Sequence, residues 1–228
     1  MTQKERENFY RIATVIVDHG TESLSAVLDN DLSTTSITFE DFINIHHHEI
    51  YHLCYNRIPC CQCVGGRLVL ANTNRIMHPG QLDILLDKSG PTMLGHNPNL
   101  SRMSQYCCRP AKTSLAIGHL DITLLRCLLV NFAKNCKTHS TLMQDVEDLV
   151  KYRNTLYGHT QEAKCSDSEY AKYKTDVEGV ILRIARFCNI ENDMRQKLND
   201  ASQRPMDEYI LKKYQIALLE QSLHEKAD

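Results

Sequence analysis

The chain has no tryptophan, and only 9 glycines and 6 prolines in 228 residues. So few turn-forming residues argue against a strand-and-turn fold and favour helices. Charge of one sign is missing too. The net charge is −2 and the pI near 6.6, which excludes a global attraction to nucleic acid, so any RNA contact has to be local. No apolar run approaches the length of a membrane span, and the start, Met-Thr-Gln-Lys-Glu-Arg-Glu, has no signal-peptide core. The expectation is a soluble cytoplasmic protein with no membrane partner.

Cysteine, by contrast, is plentiful. Of the 10 cysteines, six (Cys54, Cys60, Cys61, Cys63, Cys107 and Cys108) fall in one stretch. Without a secretory signal, metal binding is a better reading than disulfides. Cys127 lies inside an apolar helix and reads as a small core residue.

Apolar spacing outlines the helices. A first helix spans about 5–30, with Gly20 as the place where it can bend or break. Residues 31–38, rich in Asp, Ser and Thr, read as a loop, and a second helix covers 39–54. Residues 55–118 carry five of the six prolines and little periodicity apart from Gln81–Leu86. A stretch that long needs a staple. Leu120 to Phe132 is apolar nearly all round and should be the most buried helix. Thr141 with Gln144 has capping-box spacing and opens a helix ending at His159. Ser166 with Glu169 opens another through Ile184. Pro205 suits the first turn of a last, amphipathic helix.

Arg153 interrupts the apolar stripe of the helix that ends at His159, lying three to four residues from Leu149, Val150, Leu156 and Tyr157. A charge there needs a partner or a task. On an ideal helix Arg153 and His159 point about 120° apart and lie about 9 Å apart along the axis. One copy is therefore a poor clamp for a phosphate, whereas two copies across a two-fold axis pool two arginines and two histidines. The set suits RNA cleavage without a metal. A histidine can move the proton of a 2′-hydroxyl or of a leaving oxygen, a guanidinium can hold the phosphate, and Asn154 can orient either group or the ribose. The plainer reading is an arginine paired to a carboxylate and a histidine closing the helix C-terminus.

Arg153-Asn154-Thr155-Leu156-Tyr157-Gly158-His159 resembles the Arg–His signature of HEPN domains. Together with Asn8–Thr14, Leu120–Arg126 and Ser166–Arg186, it resembles the branch found in proteins similar to the DAZ-interacting zinc-finger ubiquitin ligase. The likeness spans about residues 5–190. It implies an all-α, HEPN-like helical bundle over 1–190, usually homodimeric, with the motif at the dimer interface. Here the bundle would carry an irregular Cys/His-rich insertion at 55–118 and an extra C-terminal amphipathic extension at 191–228. By the resemblance, Arg153 binds phosphate, Asn154 supports it and His159 does the acid–base work of a metal-independent endoribonuclease.

The Cys/His stretch runs His46-His47-His48, His52, Cys54, then Cys60-Cys61-Gln62-Cys63, His96 and Cys107-Cys108. Cys60 and Cys63 form a Cys-x2-Cys knuckle, and His48 and His52 share a helix face. Thiolate and imidazole ligands in tetrahedral array suit zinc. The expected ligands are His52, Cys60 or Cys61, Cys63, and one of Cys107 and Cys108, around a single structural ion that ties the irregular stretch to the second helix. No cofactor is expected for catalysis.

Two functions follow. The first is a dimeric HEPN-type endoribonuclease in RNA turnover or innate defence, favoured by the intact Arg–Asn–His set. The second is a zinc-stapled, non-catalytic module for dimerisation or for a protein partner at the C-terminal helix. The near-neutral pI and the lack of a basic or aromatic RNA platform favour it. The Arg–Asn–His set tips the sequence reading to the first.

Overall fold

The computed structural model describes residues 2–63, 76–93, 96, 104–158 and 163–203, with the backbone alone at 157–158. His159 and the helix expected from Pro205 lie outside these residues. The described chain is helical, apart from an isolated antiparallel bridge between Leu86 and Ala111. It divides into two compact units: Met1–Val27 with Ala133–Asp228, and Leu28–Phe132.

The first unit is a helical bundle. Helix α1 (Gln3–Thr14) starts on a capping box in which Thr2 accepts from the Glu5 amide and its own amide donates to the Glu5 carboxylate. A π-helical turn, Val15–Gly20, follows and passes into α2 (Thr21–Thr35). The bend foreseen at Gly20 is thus a change of helical pitch. After the short α7 (Lys134–Thr138), which apolar spacing does not announce, come α8 (Ser140–Gly158), α9 (Asp167–Phe187) and α10 (Glu191–Gln203). Helix α9 packs on α8, α10 and α1, burying Val177, Val180, Ile181 and Ile184. Asn8 holds the entry to α9, donating to the Cys165 carbonyl (3.3 Å) and to Asp167 (2.9 Å). On the face between α8 and α9, Arg183 donates twice to the largely buried Asp145 (2.6 and 2.9 Å).

In the second unit, α3 (Phe39–Ile45) and α4 (His47–Cys54) pack on each other, and α5 (Pro79–Leu85) packs on α4. The Leu53 carbonyl at the end of α4 accepts from the amides of Ile76 and Met77. Helix α6 (Ile122–Phe132) buries Ile122, Leu124, Leu125, Cys127, Leu128, Leu129 and Phe132, as its all-round apolar pattern requires. Burial pushes the Cys127 thiol up to about 12, in keeping with an inert core residue.

Three local expectations are corrected. Residues 31–35 are helical instead of looped. The hydroxyls of Ser33, Thr34 and Thr35 turn back onto carbonyls three or four residues earlier, and Leu32 is buried. The helix over 39–54 is two helices, broken at His46, whose backbone leaves the helical region and whose ring stacks on Phe132 at 4.7 Å. Helix α8 starts before Thr141: the His139 carbonyl accepts the first helical bond, from Met143, and Gln144 donates along the helix to Asp148. The Ser166–Glu169 box stands as read.

Helix α9 ends on a Schellman motif. The Ile190 amide reaches the Ala185 carbonyl (2.9 Å) and the Asn189 amide that of Arg186 (3.1 Å), with Asn189 at φ 61°. This turn aims α10 back along the bundle, where Met194 and Leu198 are buried. A side chain branched at Cβ fits that backbone badly. Asn189→Val is expected to lower stability by about 1–2 kcal/mol, and Asn189→Gly to leave it unchanged or raise it slightly. Urea denaturation midpoints of the two variants check the difference.

Candidate metal centres and the arginine helix

Helix α8 carries Arg153 on its buried side. Leu142, Val146, Leu149, Val150 and Leu156 are all buried, and Arg153 among them is 2% exposed. Its Nη1 donates to Asn154 Oδ1 at 2.9 Å, while the rest of Asn154 is exposed. The amide next in sequence therefore engages a guanidinium that lies inside the unit. Of the three residues read as a nuclease site, Arg153 and Asn154 are brought together here.

In the other unit the Cys/His stretch gathers into two groups, each of four side chains that could hold a metal ion, with all candidate ligand atoms within 4.8 Å of one another. The first group is His48, His52, Cys60 and Cys63. The two histidines stand one turn apart on α4 and their rings meet edge to face. His48 Nδ1 lies 3.1 Å from Cys60 Sγ, His52 Nε2 lies 3.1 Å from Cys63 Sγ, and the two sulfurs are 3.7 Å apart. The turn between the cysteines closes through the Cys63 amide on the Cys60 carbonyl.

The second group is Cys61, His96, Cys107 and Cys108. Cys61 Sγ is 3.4 Å from His96 Nδ1 and 2.8 Å from Cys108 Sγ, and Cys107 Sγ is 3.9 Å from Cys108 Sγ. The Cys61 amide points at Cys107 Sγ at 3.3 Å. Consecutive residues seldom face one point. Here Cys108 takes φ 53°, a left-handed backbone uncommon outside glycine, and this turn brings both sulfurs into one group.

All ten cysteines are free thiols. With no cation beside them, burial pushes the Cys60 thiol up to about 12 and also raises Cys107 and Cys108, and it lowers His52. A divalent cation reverses this preference, because thiolates neutralise it directly.

Each cysteine expected as a ligand, Cys60, Cys61, Cys63, Cys107 and Cys108, lies in one of these groups, as does His52. Cys60 and Cys61, between which the spacing left a choice, fall into different groups, one in each. His48 and His96 complete them. The four-residue spacing of His48 to His52 on one helix face was a usable signal. His96, alone in an irregular stretch, offered none.

Among the described residues no helix is long and apolar enough to cross a membrane. Neither the curated proteins nor the solved structures contain a match to this chain. The family model of the DZIP3/hRUL138-like HEPN domain matches residues 79–214, more than half of the chain, including α8 with Arg153 and all of α9. The helical architecture agrees with it, and the chain belongs to the DZIP3/hRUL138-like HEPN family.

Proposed function

We propose that this protein is a non-catalytic HEPN-like interaction module. It pairs with a second copy of itself in the reducing cytoplasm, and structural zinc holds its Cys/His-rich stretch. The observation that carries this reading is the burial of Arg153. The one guanidinium that a phosphate would need is 2% exposed and bonded to Asn154. Bringing it to an RNA backbone would mean pulling a charge and its packing out of the apolar stripe of α8, at a cost that a positioned catalytic group does not carry. Pairing is supported by the resemblance to a fold whose members are usually dimeric. Ten free thiols suit a compartment that keeps cysteines reduced.

A second reading keeps its own support. Arg153, Asn154 and His159 all fall inside the family-matched segment, and this set has the chemistry of a metal-independent endoribonuclease. That enzyme would need Arg153 to be released when two copies meet.

Two measurements separate the readings. Purified protein incubated with mixed single-stranded RNA and no added metal is expected to leave it intact while running as a dimer in light scattering. Cleavage to 2′,3′-cyclic phosphate ends by the parent, lost in His159→Ala, would install the nuclease instead. Independently, Arg153→Ala is expected to destabilise the fold by about 2–4 kcal/mol in chemical denaturation, through the packing lost from the apolar stripe of α8. A residue kept only for RNA would change stability by no more than about 0.5 kcal/mol.

A further inference from the structure

We infer that the Cys/His stretch binds two structural zinc ions in interleaved sites, His48/His52/Cys60/Cys63 and Cys61/His96/Cys107/Cys108, locked together through consecutive residues of one knuckle. The inference rests only on the metal-binding part of the proposed function, and says nothing of what the module pairs with.

The donor sets point to zinc. Two imidazoles with two thiolates, and one imidazole with three thiolates, are complete four-coordinate sets with no position left for water or substrate, the form structural zinc takes. The spacing fits as well. With Zn–S near 2.3 Å, sulfurs at the corners of a tetrahedron lie about 3.8 Å apart. The Cys60–Cys63 and Cys107–Cys108 pairs are at 3.7 and 3.9 Å. The Cys61–Cys108 pair, at 2.8 Å, is closer than that edge and well beyond a disulfide bond of about 2.05 Å.

The surroundings orient the ligands. His52 Nδ1 faces the Tyr55 carbonyl at 3.2 Å. A carbonyl can only accept, so Nδ1 carries the proton and the Nε2 lone pair is turned to the Cys63 side, as a metal-bound histidine requires. The Cys61 amide aimed at Cys107 Sγ supports a thiolate at that position.

The interleaving distinguishes this arrangement from two separate knuckles. Cys60 and Cys63 belong to one site, and Cys61, between them, belongs to the other. The first site fastens the knuckle to α4, 11 or 12 residues away. The second fastens it to Cys108, 47 residues on. Both close loops in a stretch with few helical bonds of its own, and the longer one, to Cys108, constrains the unfolded chain more.

The test uses the full chain, purified under reducing conditions without added metal. Elemental analysis is expected to find two zinc ions per chain. Replacement by cobalt is expected to give a tetrahedral spectrum with charge-transfer intensity from five thiolates. The double variant His52→Ala/Cys63→Ser should hold one ion and keep the intensity of three thiolates. Cys107→Ser/Cys108→Ser should hold one ion and keep that of two. One zinc or none in the parent overturns the inference, whether or not the variants fold. So does a Cys61–Cys108 disulfide found by mass spectrometry in place of the second ion. RNA cleavage by the parent would overturn the proposed function and leave the zinc count untouched.

Discussion

The described part of the stretch between Tyr55 and Ile117 depends on side-chain knots, because its backbone supplies little order of its own. It holds α5 and one β-bridge. A segment without repeating hydrogen bonds must offset the entropy of being fixed by other means. Tyrosine stacking contributes, with Tyr51, Tyr55 and Tyr106 in a row and the Tyr51 hydroxyl accepting the Ser104 amide. The two Cys/His groups occupy the points where the chain reverses: the 60–63 knuckle and the turn at 104–108. Without a cation, those places gather five thiols and three imidazoles, with Cys60, Cys63, Cys107, Cys108 and His52 buried, an unusual use of interior volume.

The arginine of α8 sets a different constraint in the other unit. A guanidinium on an apolar stripe has to find partners and packing inside, and Arg153 gives its Nη1 to Asn154 while its stem lies among buried apolar residues. Family membership agrees with the helical architecture, and Arg153 and Asn154 lie in the last turns of α8, but a fold does not by itself assign a reaction. In this chain the accessible neighbours of Arg153 are Lys151, Asn154 and Thr155.

Much of this was legible in the sequence, and the misses have physical causes. The Ser166–Glu169 box, the buried α6 and the charge on the stripe of α8 are local patterns, and local patterns survive folding. The helical continuation over 31–35 was hidden because serine and threonine favour loops on average, yet here their hydroxyls bond back along the helix and Leu32 is buried. The break at His46 depends on a ring, Phe132, 86 positions away. The residues of the two Cys/His groups were recognisable by type, but their division into two groups was not. That division requires Cys61 to face away from Cys60 and Cys63, and the left-handed turn at Cys108 to bring two adjacent sulfurs together. Neither is a property of spacing.

The family-matched segment begins at residue 79, and neither unit closes within it. In the first unit, α1 and the π turn pack on α9 and α10, and Asn8 and Arg11 supply hydrogen bonds to the start of α9 and the end of α10. A fragment starting at 79 would leave those faces uncovered. In the second unit the matched segment contains His96, Cys107 and Cys108 but not Cys61, and none of the first group. A metal held by three members of that group without the fourth would keep an open coordination position, a feature of reactive metals more than of structural ones. The residues before 79 therefore complete both a hydrophobic core and the Cys/His groups. The folding unit of this chain is larger than the family signature by which it is recognised.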